Sequence, residues 1–196
     1  MQAHDDLATI RKLMEDSQGL VLDKGQHFIL WGALSAGGLV ATWLAATGAV
    51  ALRVDLLWIA LLALGWAGSF AFGVREGRRG RVSSVGRRLL SAVWVSCGVA
   101  LTLVAVAGIW GPAVPVYALP GVLSVVIGLG FAATSALTGM GGMRYLAALW
   151  WAGAAWMLFA PGVYTLLLLA AMAVLLQVVP GVALYRRARA VAQSAT

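Results

Sequence analysis

The amino-acid sequence predicts an all-α polytopic membrane protein: six transmembrane helices arranged as three helical hairpins, preceded by a short amphipathic cytoplasmic helix. Three observations carry this prediction. First, the chain is 62% hydrophobic and only 11% charged over 196 residues, with a mean hydropathy of +0.91. Soluble domains are roughly half apolar and about a quarter charged. A soluble fold of this size has too little interior for so much apolar surface, so lipid is the expected solvent. Second, six apolar runs approach the length of about 20 helical residues that a bilayer core requires. Third, thirteen of the fourteen Lys and Arg residues fall on one side of the membrane if there are six spans.

The elements follow in chain order. Residues 1–26 contain HDDLATIRKLMEDSQGLVLDKGQ, where Asp5 or Asp6 can cap a helix and Leu7, Ile10, Leu13 and Met14 form one apolar face. Such a helix suits the inner leaflet, the underside of the bundle or a partner. Five acidic residues before the first span, and that span's length, argue against a cleaved signal peptide. The predicted spans are His27–Val50, Leu56–Val74, Leu89–Gly111, Ala118–Thr138, Tyr145–Ala160 and Val163–Tyr185. The fifth is short. Ala160-Pro161-Gly162 separates it from the sixth, because Pro-Gly in a long apolar stretch reads as a tight turn. Residues 186–196 form a basic tail.

Charge sets the orientation. Arg11, Lys12 and Lys24 precede the first span, and the second loop carries Arg75, Arg78, Arg79, Arg81, Arg87 and Arg88. Arg144 lies in the fourth loop, and Arg186, Arg187 and Arg189 lie in the tail. The other side has Arg53 alone, beside Asp55. Basic residues stay cytoplasmic, so both termini are expected inside. The run REGRRGRVSSVGRR is therefore read first as a topology signal. Its arginines are also candidates for anionic head-group contact, at about 1 kcal/mol each near the surface. A nucleic-acid role is rejected, since the loop has no folded reader and no interleaved aromatics.

The spans also show pairing. LGWAGS (Leu64–Ser69) resembles LGFAAT (Leu129–Thr134), and Trp94 and Trp150 each follow a basic residue, Arg88 and Arg144, by six positions. Tandem hairpins would produce this pattern. The pairs Gly32/Ala36, Gly37/Ala41, Gly65/Ser69, Ser124/Gly128 and Ala148/Ala152 are small-xxx-small motifs that let helix backbones approach closely. Packing inside the bundle is the favoured reading. A homodimer face would need one such stripe to face lipid.

Chemistry is searched for in the spans, where a charge costs at least about 2.5–3.5 kcal/mol and so marks function. None of the six contains an Asp, Glu, Lys or Arg. That pattern disfavours proton-coupled transport and intramembrane proteolysis, and no HExxH, phosphate-loop or dinucleotide motif occurs. His4 and His27 cannot form a haem pair within one chain, and Cys97 is the only cysteine. No catalytic residue, metal or cofactor is therefore expected. What remains is neutral polarity and aromatic area. Gln177, three residues before Pro180-Gly181, is the deepest strong polar group. It is read first as a tie to a neighbouring helix and second as part of a small site. Trp66, Trp94, Trp150 and Trp151 lie about 9–14 Å inside the cytoplasmic boundary. They are core filler or, on the sharper reading, walls of a lipid or apolar-ligand pocket with Gln177.

LMEDS followed by HFILWG and ATW, together with the ending VVPGVALYRR (Val178–Arg187), resembles a group of small, uncharacterised multi-pass proteins of bacterial inner membranes. The resemblance implies that location and a six-helix bundle, and it carries over no site residue. The functional expectation is a non-enzymatic accessory or scaffold subunit that binds another membrane protein or lipid, or itself as a homo-oligomer. The alternative is a small oligomeric channel or facilitator for a neutral or hydrophobic solute.

Overall fold

A computed structural model describes residues 25–78, 85–111 and 114–194, and among these every regular element is helical. The helices are α1 (Gly25–Ala46), α2 (Val54–Arg78), α3 (Val85–Trp110), α4 (Leu119–Thr138), α5 (Gly141–Phe159), α6 (Tyr164–Ala173) and α7 (Val179–Ser194). A single 3₁₀ turn, Val116–Ala118, leads into α4, and a five-residue π turn, Val174–Val178, joins α6 to α7. The amphipathic N-terminal helix, Arg79 and Arg81 lie outside the described residues.

Five helical stretches are long and apolar enough to cross a bilayer: Gly25–Ala46, Val54–Arg75, Arg88–Trp110, Val116–Thr138 and Tyr164–Ala190. The sixth, α5, has 19 residues, and Arg144, Tyr145, three tryptophans and three glycines lower its apolarity. It begins four residues before the boundary expected from sequence. Arg144, expected in the fourth loop, thus lies within the helix. On the first turn of a helix its long stem can instead run to the interface.

Helix ends have identifiable causes. Gly48 (φ 77°) follows α1 in the left-handed region. Its N–H bonds to the Ala45 carbonyl and that of Ala49 to the Leu44 carbonyl, the paired closure of a Schellman motif. Gly139 (φ 68°) ends α4 with the simpler αL closure, its N–H donating to the Ser135 carbonyl four residues back. Between α5 and α6 the chain turns at Ala160-Pro161-Gly162. The Tyr164 hydroxyl bonds back to the Ala160 carbonyl there, and the Thr165 hydroxyl donates to the Gly162 carbonyl at 2.6 Å.

In lipid the apolar effect does little to hold helices together, so close packing and interhelical hydrogen bonds decide which helices meet. Glycines mark the contacts. A Cβ on Gly25 would lie 2.7 Å from the Gly181 carbonyl oxygen and 2.9 Å from the Tyr185 nitrogen, while one on Gly32 would meet Val178 at 2.7 Å. Helix α1 thus runs antiparallel against the π turn and α7, nearly backbone to backbone. Gly121 against Leu158 and Gly128 against Trp151 set α4 antiparallel to α5. The buried positions of α5 are Met143, Ala147, Trp150, Ala154 and Met157, alternately four and three residues apart, which is the spacing of one continuous helix stripe. Helices α1, α4, α5 and α6 form the inner layer. Helix α2 lies outside α1, and α3 lies outside α4. The tight neighbours of α5 and α6 are therefore α4 and α1, not each other.

Candidate functional site

Four tryptophans share one arrangement. In each case the indole lies over a glycine of a neighbouring helix, and its N–H donates to a hydroxyl four residues, or one turn, further along. Trp31 covers Gly65 and donates to Ser69 at 2.9 Å, and Trp58 covers Gly38 and donates to Thr42 at 3.1 Å. Trp66 covers Gly98 and donates to Thr102 at 3.3 Å, and Trp94 covers Gly130 and donates to Thr134 at 3.0 Å. The residue types follow from the medium. An indole N–H in an apolar interior needs an acceptor, and only a glycine lets the ring lie flat against the helix that supplies it. The three threonines also donate back to the carbonyl of that same glycine, at 2.7, 2.8 and 2.7 Å. Their hydroxyls are thereby oriented to accept. Each such bond is worth about 0.6 kcal/mol on average in a membrane and up to about 1.7.

An aromatic cluster sits where four helices meet. Phe28 of α1 contacts Trp94 of α3 edge-on at 4.9 Å between centroids and stacks on Phe131 of α4 at 5.4 Å. Phe131 is edge-on to Trp94 at 5.4 Å and stacks on Trp150 of α5 at 6.5 Å. Of the candidate pocket residues, the structure brings Trp94 and Trp150 together, both against Phe131. Trp66 lies apart, edge-on to Trp31 at 5.9 Å. Trp151 is 42% exposed and donates to the Val125 carbonyl at 3.3 Å across Gly128. Trp150 is fully buried, and among the described residues its Nε1 has no hydrogen-bond partner, as is also true of the Ser124 hydroxyl.

Gln177 is buried on the π turn, on the stretch where α1 presents Gly32. The wide turn has a local cause. Pro180 supplies no N–H for the Leu176 carbonyl and its ring crowds it, and the chain widens just upstream, with the Val179 N–H reaching the Val174 carbonyl five residues back. The disturbance caused by Pro180 is thus expressed as an insertion in the helix. Such insertions recur at functional sites.

Charge separates the two ends of the bundle. The start of α1, the end of α2, the starts of α3 and α5, and the end of α7 share one end. Arg75, Arg88, Arg144, Arg186, Arg187 and Arg189 are exposed there, and Arg78 and Arg87 lie on the same helix ends. The opposite end carries Arg53, which forms a two-pronged pair with Asp55 at 3.0 and 2.6 Å. Hydrogen bonding to Asp55, and then its charge, raise the pKa of Arg53 further.

Chemically, the buried polar residues of the described interior are Ser124, Thr134, Thr138, Thr165 and Gln177, all neutral. Among the described residues no group of three His, Cys, Asp or Glu side chains comes together. No known family model, curated protein or solved structure matches the chain.

The sequence reading missed Phe28 and Phe131, and it missed three of the four glycine–hydroxyl pairs. The signal was present: Gly38/Thr42, Gly98/Thr102 and Gly130/Thr134 repeat the spacing recognised at Gly65/Ser69.

Proposed function

We propose that this chain is a non-enzymatic integral protein of a bacterial inner membrane, an accessory or scaffold subunit that binds another membrane protein or lipid. It crosses the bilayer six times in three successive hairpins, with both termini cytoplasmic. One observation carries the reading. Four hydroxyls within the spans, those of Thr42, Ser69, Thr102 and Thr134, accept indole N–H groups across helix contacts, and the three threonines also donate back to their own helix. The interior is therefore a set of fixed helix–helix joints, and what the molecule offers outward is an apolar belt and one arginine-rich end. The thirteen-to-one distribution of basic residues supports placing that end in the cytoplasm.

The test is extraction of the tagged chain from its native membrane in lipid-preserving particles, followed by mass measurement. A stoichiometric second protein supports the accessory role. A pure monomer or homo-oligomer overturns it.

A second reading, a small channel or facilitator for a neutral solute, is favoured by one feature: Gln177 is buried on a π turn within an apolar span. It predicts solute flux in proteoliposomes that Gln177→Leu alters. Unaltered flux removes Gln177 from any path.

A further inference from the structure

We propose that the arginine-bearing end of the bundle binds anionic phospholipid, with Arg144–Tyr145 on α5 and Tyr185–Arg189 on α7 as its two fixed contact points. This deepens the lipid half of the reading above and rests on the chain lying in a membrane.

The Arg144 guanidinium lies 5.5 Å from the centre of the Tyr145 ring, and that of Arg189 lies 5.9 Å from the Tyr185 ring. Both are within cation–π range. A guanidinium held on a tyrosine has a smaller volume to explore than a free one, so less freedom is lost when it grips a phosphate. The rings also keep each cation at the interfacial level where tyrosines settle. A guanidinium offers parallel N–H donors that match two phosphate oxygens.

The surroundings favour lipid over a soluble anion. Below Arg144, the α5 positions Tyr145, Leu149, Ala152 and Trp156 recur at helical spacing and are all exposed. On the Arg189 side, Tyr185 is half-buried, and Val179 and Leu175, 54% and 62% exposed, lie on another face earlier in the chain. Arg144 therefore caps an apolar track running into the bilayer, the layout of a lipid head group above its acyl chain. Charge is complementary as well. Of the acids on the described helices, Asp55 pairs with Arg53 at the opposite end, and Glu76 alone lies at this one.

The test uses the full chain in mild detergent, with phosphatidylglycerol or phosphatidylcholine added back and retained lipid counted by native mass spectrometry. Wild type is expected to retain phosphatidylglycerol in severalfold excess. Arg144→Gln and Arg189→Gln should each weaken retention by about fivefold, the effect of one basic residue at a charged surface, while helicity by circular dichroism is unchanged. Tyr145→Leu should reproduce part of the Arg144→Gln loss. Equal retention of the two lipids, or retention unchanged in the double arginine variant, would overturn the proposal. So would full displacement by inorganic phosphate, which would make the site one for soluble anions. Lipid retention and partner co-purification are separate readouts, so the two readings can fail independently.

Discussion

The first two hairpins and the last pair of helices solve the same problem in different ways. Helices α2 and α3 lie on the outside of the bundle, and each is joined to its neighbours by an indole laid on glycine with its N–H on a hydroxyl. Helices α5 and α6 sit in the inner layer, and Trp150 is buried there with its N–H unpartnered. Where a helix has little contact area, a directed polar joint fixes its position. On the buried face of α5, packing of Trp150, Phe131 and Met157 acts beside the one indole bond that joins this helix to α4, from Trp151 to the Val125 carbonyl. The directed indole bonds therefore belong to rings that are half-buried or exposed, while the fully buried Trp150 is held by packing.

The largest expected effect comes from blocking a joint at its glycine. A Cβ on Gly65 would come within 2.6–2.9 Å of three ring atoms of Trp31. Gly65→Leu should therefore push α2 off α1 and cost about 1–3 kcal/mol, the usual range for overpacking. Equilibrium unfolding in mixed micelles would measure it. The same substitution at Gly37, where a Cβ meets nothing within 4 Å, should be nearly neutral. Equal losses at the two sites would mean that ring contact does not set the cost, since helix propensity favours leucine over glycine at both.

Next in size is removal of an acceptor. Thr134→Val keeps the volume but leaves the Trp94 N–H buried without a partner, at about 1–3 kcal/mol. In a double-mutant cycle with Trp94→Phe, the coupling should be near 0.6 kcal/mol and not above about 1.7. No coupling would show that the 3.0 Å bond fixes geometry without adding stability.

Why the joints were only partly legible follows from their chemistry. The all-helical class and the approximate helix ends follow from apolar run length and from Gly and Pro punctuation, which are local properties. The resemblance of LGWAGS to LGFAAT aligns Gly65 and Ser69 with Gly130 and Thr134, although only the first pair is recognised as a packing motif from sequence. It could not say which indole each pair received, because Trp94 and Thr134 are forty residues apart. Reading a tryptophan as filler treats it as volume, whereas its N–H requirement in lipid implies a hydroxyl on the facing helix. The π turn was hidden for a similar reason. Pro180 announces a disturbed helix, but whether the chain bends or inserts a residue depends on Gly32 leaving room beside Val178. The spread of the tryptophans over three separate places could not be read from depth alone, since residues at one depth can face opposite sides of a bundle.

The smallest expected effect tests the other half of the comparison. Trp150→Phe removes a large part of a fully buried ring, so it creates a cavity and must cost stability. It also removes a buried donor that has no acceptor, which is a gain of about 1–3 kcal/mol set against that loss. The two terms offset, and the net change in unfolding free energy should fall below that of Thr134→Val, although Trp150 is more buried than Trp94. Indole hydrogen exchange separates the terms. The Trp94 N–H, held by Thr134, should exchange only on opening of the α3–α4 joint, and Trp150 only on opening of the inner layer. If Trp150→Phe is the costlier of the two, its N–H has a partner of its own, and the contrast between directed joints and plain packing no longer distinguishes the two regions.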